Sequence, residues 1–200
     1  MHTAAIEVLA FWFGPPDDAD HRLQRPVWFR KDAAFDAEIA RRFGPLIAAA
    51  LQGGEADITQ DWLLPPLQAL PALARLILLD QFTRNTGRGT AAAFAGDAQA
   101  LNLARALVAS GRDRSLTGVQ RQFVYLPFEH AEDVSHQRSS VQLFQQLEHD
   151  EPGLSGLAEW AVRHHDIVAR FGRFPHRNAA LGRTSTDEEL AFLQTPGSGF

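Results

Sequence analysis

The chain has 200 residues, 45% of them hydrophobic and 22% charged, which suits one globular domain with a real core and argues against disorder. Its formal net charge of −5 is a poor match for a general nucleic-acid binder, since such proteins are usually basic. It contains no cysteine, which excludes disulfides, thiolate catalysis and Cys-ligated zinc or iron–sulfur sites.

The first residues, MHTAAIEVLAFWFGPPDD, lack a basic leader, and Glu7 interrupts a short apolar run. A signal peptide is not expected. No window approaches the ~18–20 uninterrupted apolar residues of a membrane span. No membrane partner is expected, and the expected location is cytoplasmic.

Helical spacing runs through nearly the whole chain. Ile6, Leu9, Ala10 and Phe13 share a face, and Gly14-Pro15-Pro16 stops that helix. Asp32 is placed to cap a second helix, with Phe35, Ile39 and Phe43 inward. Gly44-Pro45 is expected to break or kink it, and its continuation to Leu51 to end at Gly53-Gly54. Pro71 reads as the first position of a helix whose body, ALARLILLD, is apolar almost all round and therefore buried. Asp97 reads as the cap of the next helix, which aligns Leu101, Ala104 and Val108 before Gly111. A helix from about Thr117 to Tyr125 is expected to stop at Pro127. Val134, Val141 and Phe144 define a long helix ending near Pro152. Leu157, Trp160, Ala161, His164, Ile167, Val168 and Phe171 share the face of the one after it, which Gly172 can end. Thr186 and Glu189 form a capping box for a last short helix, and the tail from about 195 to 200 is expected to fray. No strand alternation is present. These elements predict a single all-α domain spanning 1–200, with seven to nine helices in stacked antiparallel pairs.

Four features break the local rules. Asp80, in LLDQFTRN, reads as closing the buried helix on the negative end of its dipole, so something cationic must compensate it. His164 falls on an apolar face, where burial keeps imidazole neutral, as a base or a ligand must be. In YLPFEHAEDVSHQ, Glu132 and Asp133 suit a helix N-terminus, but His130 is not explained that way. Asp133 and His136 have a D-x-x-H spacing, yet one copy does not make a metal site, so neither a metal nor a cofactor is expected. The fourth is ARFGRFPHRNAALGR at 169–183. Eighteen of the nineteen basic residues are Arg, with Lys31 the exception. Codon bias is the plainer cause of that number, so position has to carry the argument. Arg170 and Arg173 flank a helix C-terminus, where cations are favoured. Arg177, Asn178 and Arg183 have no such explanation. FTRNTGRGT at 82–90 and FPHRNAALGRT at 174–184 both run Phe, Arg-Asn, then an Arg beside Gly. If these two Arg-Asn turns meet, they would form an anion clamp.

Taken together, VLAFWFG at 8–14, WFRKDAAFD at 28–36, LLDQFTRNTGRGTAAAF at 78–94, PFEHAEDVSHQ at 127–137 and RFGRFPHRNAALGRTST at 170–186 resemble the bacterial domain of unknown function 924 family, classed as TPR-like. The resemblance covers nearly the whole chain. It implies an all-helical, TPR-like fold and no particular activity. The family pattern carries onto Asp80, Gln81, Arg84, Asn85, Arg88, His130, Glu132, His164, Arg170, Arg173, Arg177, Asn178 and Arg183. The chain departs from it at Thr83, where Pro is usual, and at Ala131, where Ser is usual. The second departure removes a hydroxyl beside His130.

Two functions follow as expectations. In the first, Arg84, Asn85, Arg88, Arg170, Arg173, His176, Arg177, Asn178 and Arg183 bind an anionic small molecule or a peptide carboxylate. In the second, His130, Glu132, His164 and Asp80 supply acid–base groups or metal ligands for an enzyme acting on an anionic substrate. A closed polar pocket would favour the enzyme, and an open groove the binder. The competing account is structural: every guanidinium is already matched by a protein carboxylate.

Overall fold

The structure, a computed structural model, describes residues 3–18, 21, 23–52 and 68–199. Among them all regular structure is helical, with no strand. In chain order come α1 (Thr3–Phe13), α2 (Ala33–Leu51), α3 (Ala69–Leu76), α4 (Thr83–Thr86), α5 (Asp97–Ala109), α6 (Gly118–Glu129), α7 (Val134–Asp150), α8 (Leu157–Phe171) and α9 (Asp187–Leu193). Local chemistry sets several of the ends. The Asp32 carboxylate accepts the Ala34 and Phe35 N–H groups at the start of α2, and Asp133 caps α7 in the same way. Thr117 with Gln120, and Thr186 with Glu189, close capping boxes on α6 and α9. Gly172, at φ +69°, ends α8 in a left-handed conformation that side chains disfavour.

Several sequence expectations give way here. Pro45 lies inside an unbroken α2, and the Gly53-Gly54 stop falls outside the described residues. Pro71 is the third residue of α3, after Gln68 as its cap; its missing N–H is still one of the four that a helix start leaves unpaired. Pro127 sits within α6, so Glu129 ends that helix rather than starting the next. Spacing puts Ile6 and Trp160 on core faces, but they are 44% and 49% exposed. Trp160 instead lies under the Arg163 guanidinium, 4.8 Å from the ring centre.

The largest correction concerns the central rod. The helix does not stop at Asp80. α3 passes into a six-residue π segment, Ile77–Phe82, and on into α4. Leu73, Leu76, Ile77, Leu78, Leu79 and Phe82 are fully buried, with α1, α2, α5 and α6 packed around the rod. At its α1–α2 side Phe11 meets Phe43 and Phe82 edge-to-face, Trp12 meets Phe82 the same way, and Phe43 lies tilted against Phe82. The Thr83 hydroxyl donates to the Leu79 carbonyl at 2.7 Å, engaging an acceptor within the π segment. Single π turns inside helices are rare and concentrate at functional sites. This one holds Asp80 facing away from solvent.

α6, α7 and α8 follow one another through short connections, and each packs on the next, the antiparallel arrangement that short connections impose. A small second cluster of Ile167, Val168 and Phe174 joins the end of α8 to α9 through Phe171 and Phe192. It docks the Arg-rich segment back onto the α6–α7 corner.

Candidate functional site

Asp80 is 1% exposed and meets three donors. His130 Nδ1 lies 2.7 Å from its Oδ1, Gln81 Nε2 donates to Oδ2 at 2.7 Å, and an Arg84 amino group stands 3.5 Å from Oδ1. The Arg84 contact is local, i to i+4, and exists because the helix continues past residue 80. Burial works against the charged carboxylate, but the hydrogen bond from His130, the charge on Arg84 and the hydrogen bond from Gln81 outweigh it and hold Asp80 at about 2. Burial, reinforced by Arg84, pushes the His130 imidazole down. A neutral imidazole facing a carboxylate donates from Nδ1, so the lone pair lies on Nε2. That nitrogen has no hydrogen-bond partner among the described residues and is not sealed in the interior.

Asp97 begins α5 but does not cap it; Gly96 holds the cap position and makes no side-chain bond. The Asp97 carboxylate instead bridges two arginines. Arg84 donates to Oδ1 at 2.9 Å and Arg177 to Oδ2 at 3.0 Å. Gly96 explains why α5 can start so close to Asp80, because a Cβ there would sit 2.1 Å from the Leu79 carbonyl oxygen. The two Arg-Asn turns therefore meet across a carboxylate of the protein's own. Phe94 lies between them, 5.2 Å from Arg84 and 4.7 Å from Arg177, and Phe174 closes on Arg177 at 4.5 Å. Arg177 is 6% exposed. Burial, then repulsion from Arg84, brings it down to about 10.

An open depression of about 440 Å³ lies beside this cluster, lined by Phe94, Asp97, Pro127, His130, Glu132 and Arg177 among others. Asp133 and His136 stand at its wall as well. Asp133 is occupied as the α7 cap, with His136 Nδ1 3.4 Å away. Among the described residues no three His, Asp or Glu side chains converge in a way that could hold a metal ion.

The remaining arginines of 169–183 form a separate network. Arg173 grips both oxygens of Glu189, at 2.6 and 2.8 Å, and the Thr184 carbonyl at 2.9 Å. Arg183 holds both oxygens of Glu132 at 2.6 and 2.9 Å, the Phe174 carbonyl at 3.2 Å and the Asn178 side-chain oxygen at 2.9 Å. Asn178 donates onward to Ser185 and Glu189. Burial raises Glu132, but Arg183 and the Phe174 N–H outweigh it and lower its carboxyl. Glu132, expected as an acid–base group, is thus fastened as an anion. Arg170 pairs with Glu188 at an exposed edge. Asn85 and Arg88 face Asp36 of α2. Of the sequence-picked residues, His130, Glu132 and Arg177 line the depression; Asp80 and Arg84 stand behind His130 and Asp97; Arg173, Asn178 and Arg183 belong to the network around Glu132 and Glu189; and Asn85, Arg88 and Arg170 lie elsewhere.

His164 is buried, with Nδ1 2.8 Å from the Trp160 carbonyl and 3.2 Å from Glu129 Oε1. Burial takes it down to about 3. His176 packs on Phe174 at 5.6 Å between ring centres, and burial takes it to about 4. Glu129 moves the other way, raised to about 8 by burial and by the charge on Asp80. Sequence reasoning missed Glu129 and Asp97 because both could be explained as ordinary helix-end acids. No local pattern separates an Asp that caps a helix from one that bridges two arginines 13 and 80 residues away.

The family model for bacterial proteins of unknown function 924 matches residues 8–197. A solved structure described as a protein of unknown function from Agrobacterium tumefaciens is 38% identical, with a TM-score of 0.77 over 95% of this chain and 96% of its own. A comparison with curated proteins gives no match. With nearly its whole length matched by that model, this chain belongs to the bacterial protein family of unknown function 924.

Proposed function

We propose that the depression is an acid–base active site for a small anionic molecule, with His130 as the proton acceptor and Asp80 as the carboxylate that orients it. One observation carries this reading. A buried carboxylate in a π turn takes the Nδ1 edge of His130, leaving Nε2 unengaged at the wall of a depression. A base fixed in one tautomer by a third group is the recurring arrangement of proton-transfer sites. None of the lining residues carries a hydroxyl or thiol, and Ala131 stands where a neighbouring hydroxyl could have been. The base would then act on the substrate itself or on water. Arg177 at the same wall is the group for a substrate carboxylate or phosphate, and a peptide C-terminus is the same chemistry.

A binding role without turnover is favoured by the open form of the depression. The two readings separate in one experiment. Wild type, His130→Gln and Asp80→Asn are incubated with pools of small carboxylates, phosphoesters and amides, and products are read by mass spectrometry. Conversion by wild type should fall by ~10²–10⁴ in His130→Gln, while the melting temperature still responds to the substrate. Conversion that survives His130→Gln would remove His130 from the role. Ligand binding with no conversion in any pool would establish the binding reading instead.

A further inference from the structure

Arg84 and Arg177 come from segments far apart in sequence, yet their guanidinium groups are held as a fixed pair. Arg84 is seated by the Asp80 carboxylate at 3.5 Å, the Ala93 carbonyl at 3.3 Å and the Phe94 ring. Arg177 is seated between the Phe94 and Phe174 rings. Neither arginine depends on Asp97 alone for its position. Asp97 takes one N–H from each, well short of the two-pronged grip a guanidinium can give a carboxylate. The Nε atoms of both arginines are buried and have no hydrogen-bond partner among the described residues. Leaving a charged donor buried and unpaired is costly, and native proteins do it rarely. Arg177 combines that state with 94% burial and a place in the depression's wall. Asp97 is still 22% exposed along its side chain and lines the same depression.

We propose that the space between Arg84 and Arg177 is an anion subsite whose resident occupant is Asp97, and that the molecule bound in the depression carries a carboxylate or phosphate that displaces it. The proposal rests on the depression being the binding site. It narrows the ligand to one whose anionic group reaches past His130 to the arginine pair. A tethered carboxylate competes with every incoming anion, so simple anions bind the wild type weakly. Asp97 thereby sets a threshold that only a ligand with further contacts in the depression exceeds.

The test measures apparent Kd values for inorganic phosphate and for malonate, at constant ionic strength with chloride as the control. The proteins are wild type, Asp97→Asn and Asp97→Asn with Arg177→Gln. Removing a charge-assisted competitor should tighten binding in Asp97→Asn by about ten- to a hundredfold over wild type. The double variant should lose that gain. No tightening in Asp97→Asn overturns the proposal, as does tightening that persists without Arg177, which would reflect net charge alone. Should Asp97→Asn fail to fold, the wild type carries a second readout: titration with phosphate must shift the Nε–H resonances of Arg84 and Arg177, and unmoved resonances overturn the subsite. Neither measurement involves turnover, so failure here leaves the His130 reading standing, and loss of the His130 reading leaves this one testable.

Discussion

Two arginine-rich regions lie within a few residues of each other and differ in how completely their hydrogen bonds are made. Around Glu132 and Glu189, Arg183 uses Nε and both amino groups, and Arg173 uses Nε and one amino group on both carboxylate oxygens and a carbonyl. Around Asp97 and Asp80, among the described residues, Arg177 makes one hydrogen bond, the Nε atoms of Arg84 and Arg177 are orphaned, and His130 keeps Nε2 unengaged. The first region fastens the 172–189 segment to the α6–α7 connection and to α9 with its donors largely used. The second retains unused donors and an unused lone pair beside an opening. Charge count does not separate the two, since each arginine in both regions has a carboxylate neighbour. The number of unsatisfied donor edges does.

Leu78→Ala removes a fully buried side chain from the central rod and should cost about 2–5 kcal/mol by chemical denaturation. A smaller loss would mean the rod is not the common support of both regions. Next, Arg183→Ala strips a bidentate partner from Glu132 and should cost about 2–3 kcal/mol. Its anion response should match wild type, whatever that response is. An Arg183 variant that unfolds no more readily than wild type would remove the distinction between scaffold and site.

Stability should also depend on pH through the buried groups beside Asp80. Folded Glu129 keeps its proton up to about 8, whereas the unfolded carboxyl releases it near 4.5. Between those values the native state binds more protons than the unfolded state, so stability falls as pH rises. His164 acts in the opposite sense. Its folded value of about 3 lies below the unfolded 6.5, so its contribution is present above 6.5 and is lost as pH falls toward 3. The two oppose each other between 4.5 and 6.5. Between 6.5 and 8 Glu129 acts without that opposition. Stability should decline by about 1–2 kcal/mol over that upper window, and Glu129→Gln should flatten it. A wild-type curve that is level from 6.5 to 8 would contradict the burial of a protonated Glu129.

The smallest effect belongs to Arg177→Ala. Its carboxylate partner, Asp97, remains paired with Arg84, and an orphaned buried Nε is removed with it. Stability should stay within about 1 kcal/mol of wild type, the lost ring stacking being offset by the lost desolvation. A penalty of about 3–5 kcal/mol would instead assign Arg177 to the scaffold.

Helix content and the identity of the central rod are local properties and were readable. The apolar spacing of ALARLILLD, the Asp32 cap and the Thr186–Glu189 box each act within one or two turns. Errors came where two local rules compete. Pro127 can end a helix or sit in its last turn. Trp160 falls on the apolar face by spacing, yet Arg163 covers its exposed ring. Asp80 had all the marks of a helix end, and only the π register carries the chain past it.

The all-α class, several helix caps and the presence of charged groups that local structure leaves unexplained follow from the chain alone, because propensity, capping and periodicity are set by sequence neighbours. Which charges meet is settled by packing. Asp97 lies 80 residues from Arg177, and Glu132 lies 51 from Arg183. Those pairings depend on how α5, α6 and the post-α8 segment pack around the rod. A guanidinium takes any carboxylate that packing brings within reach, so nothing in the spacing of the residues encodes the choice.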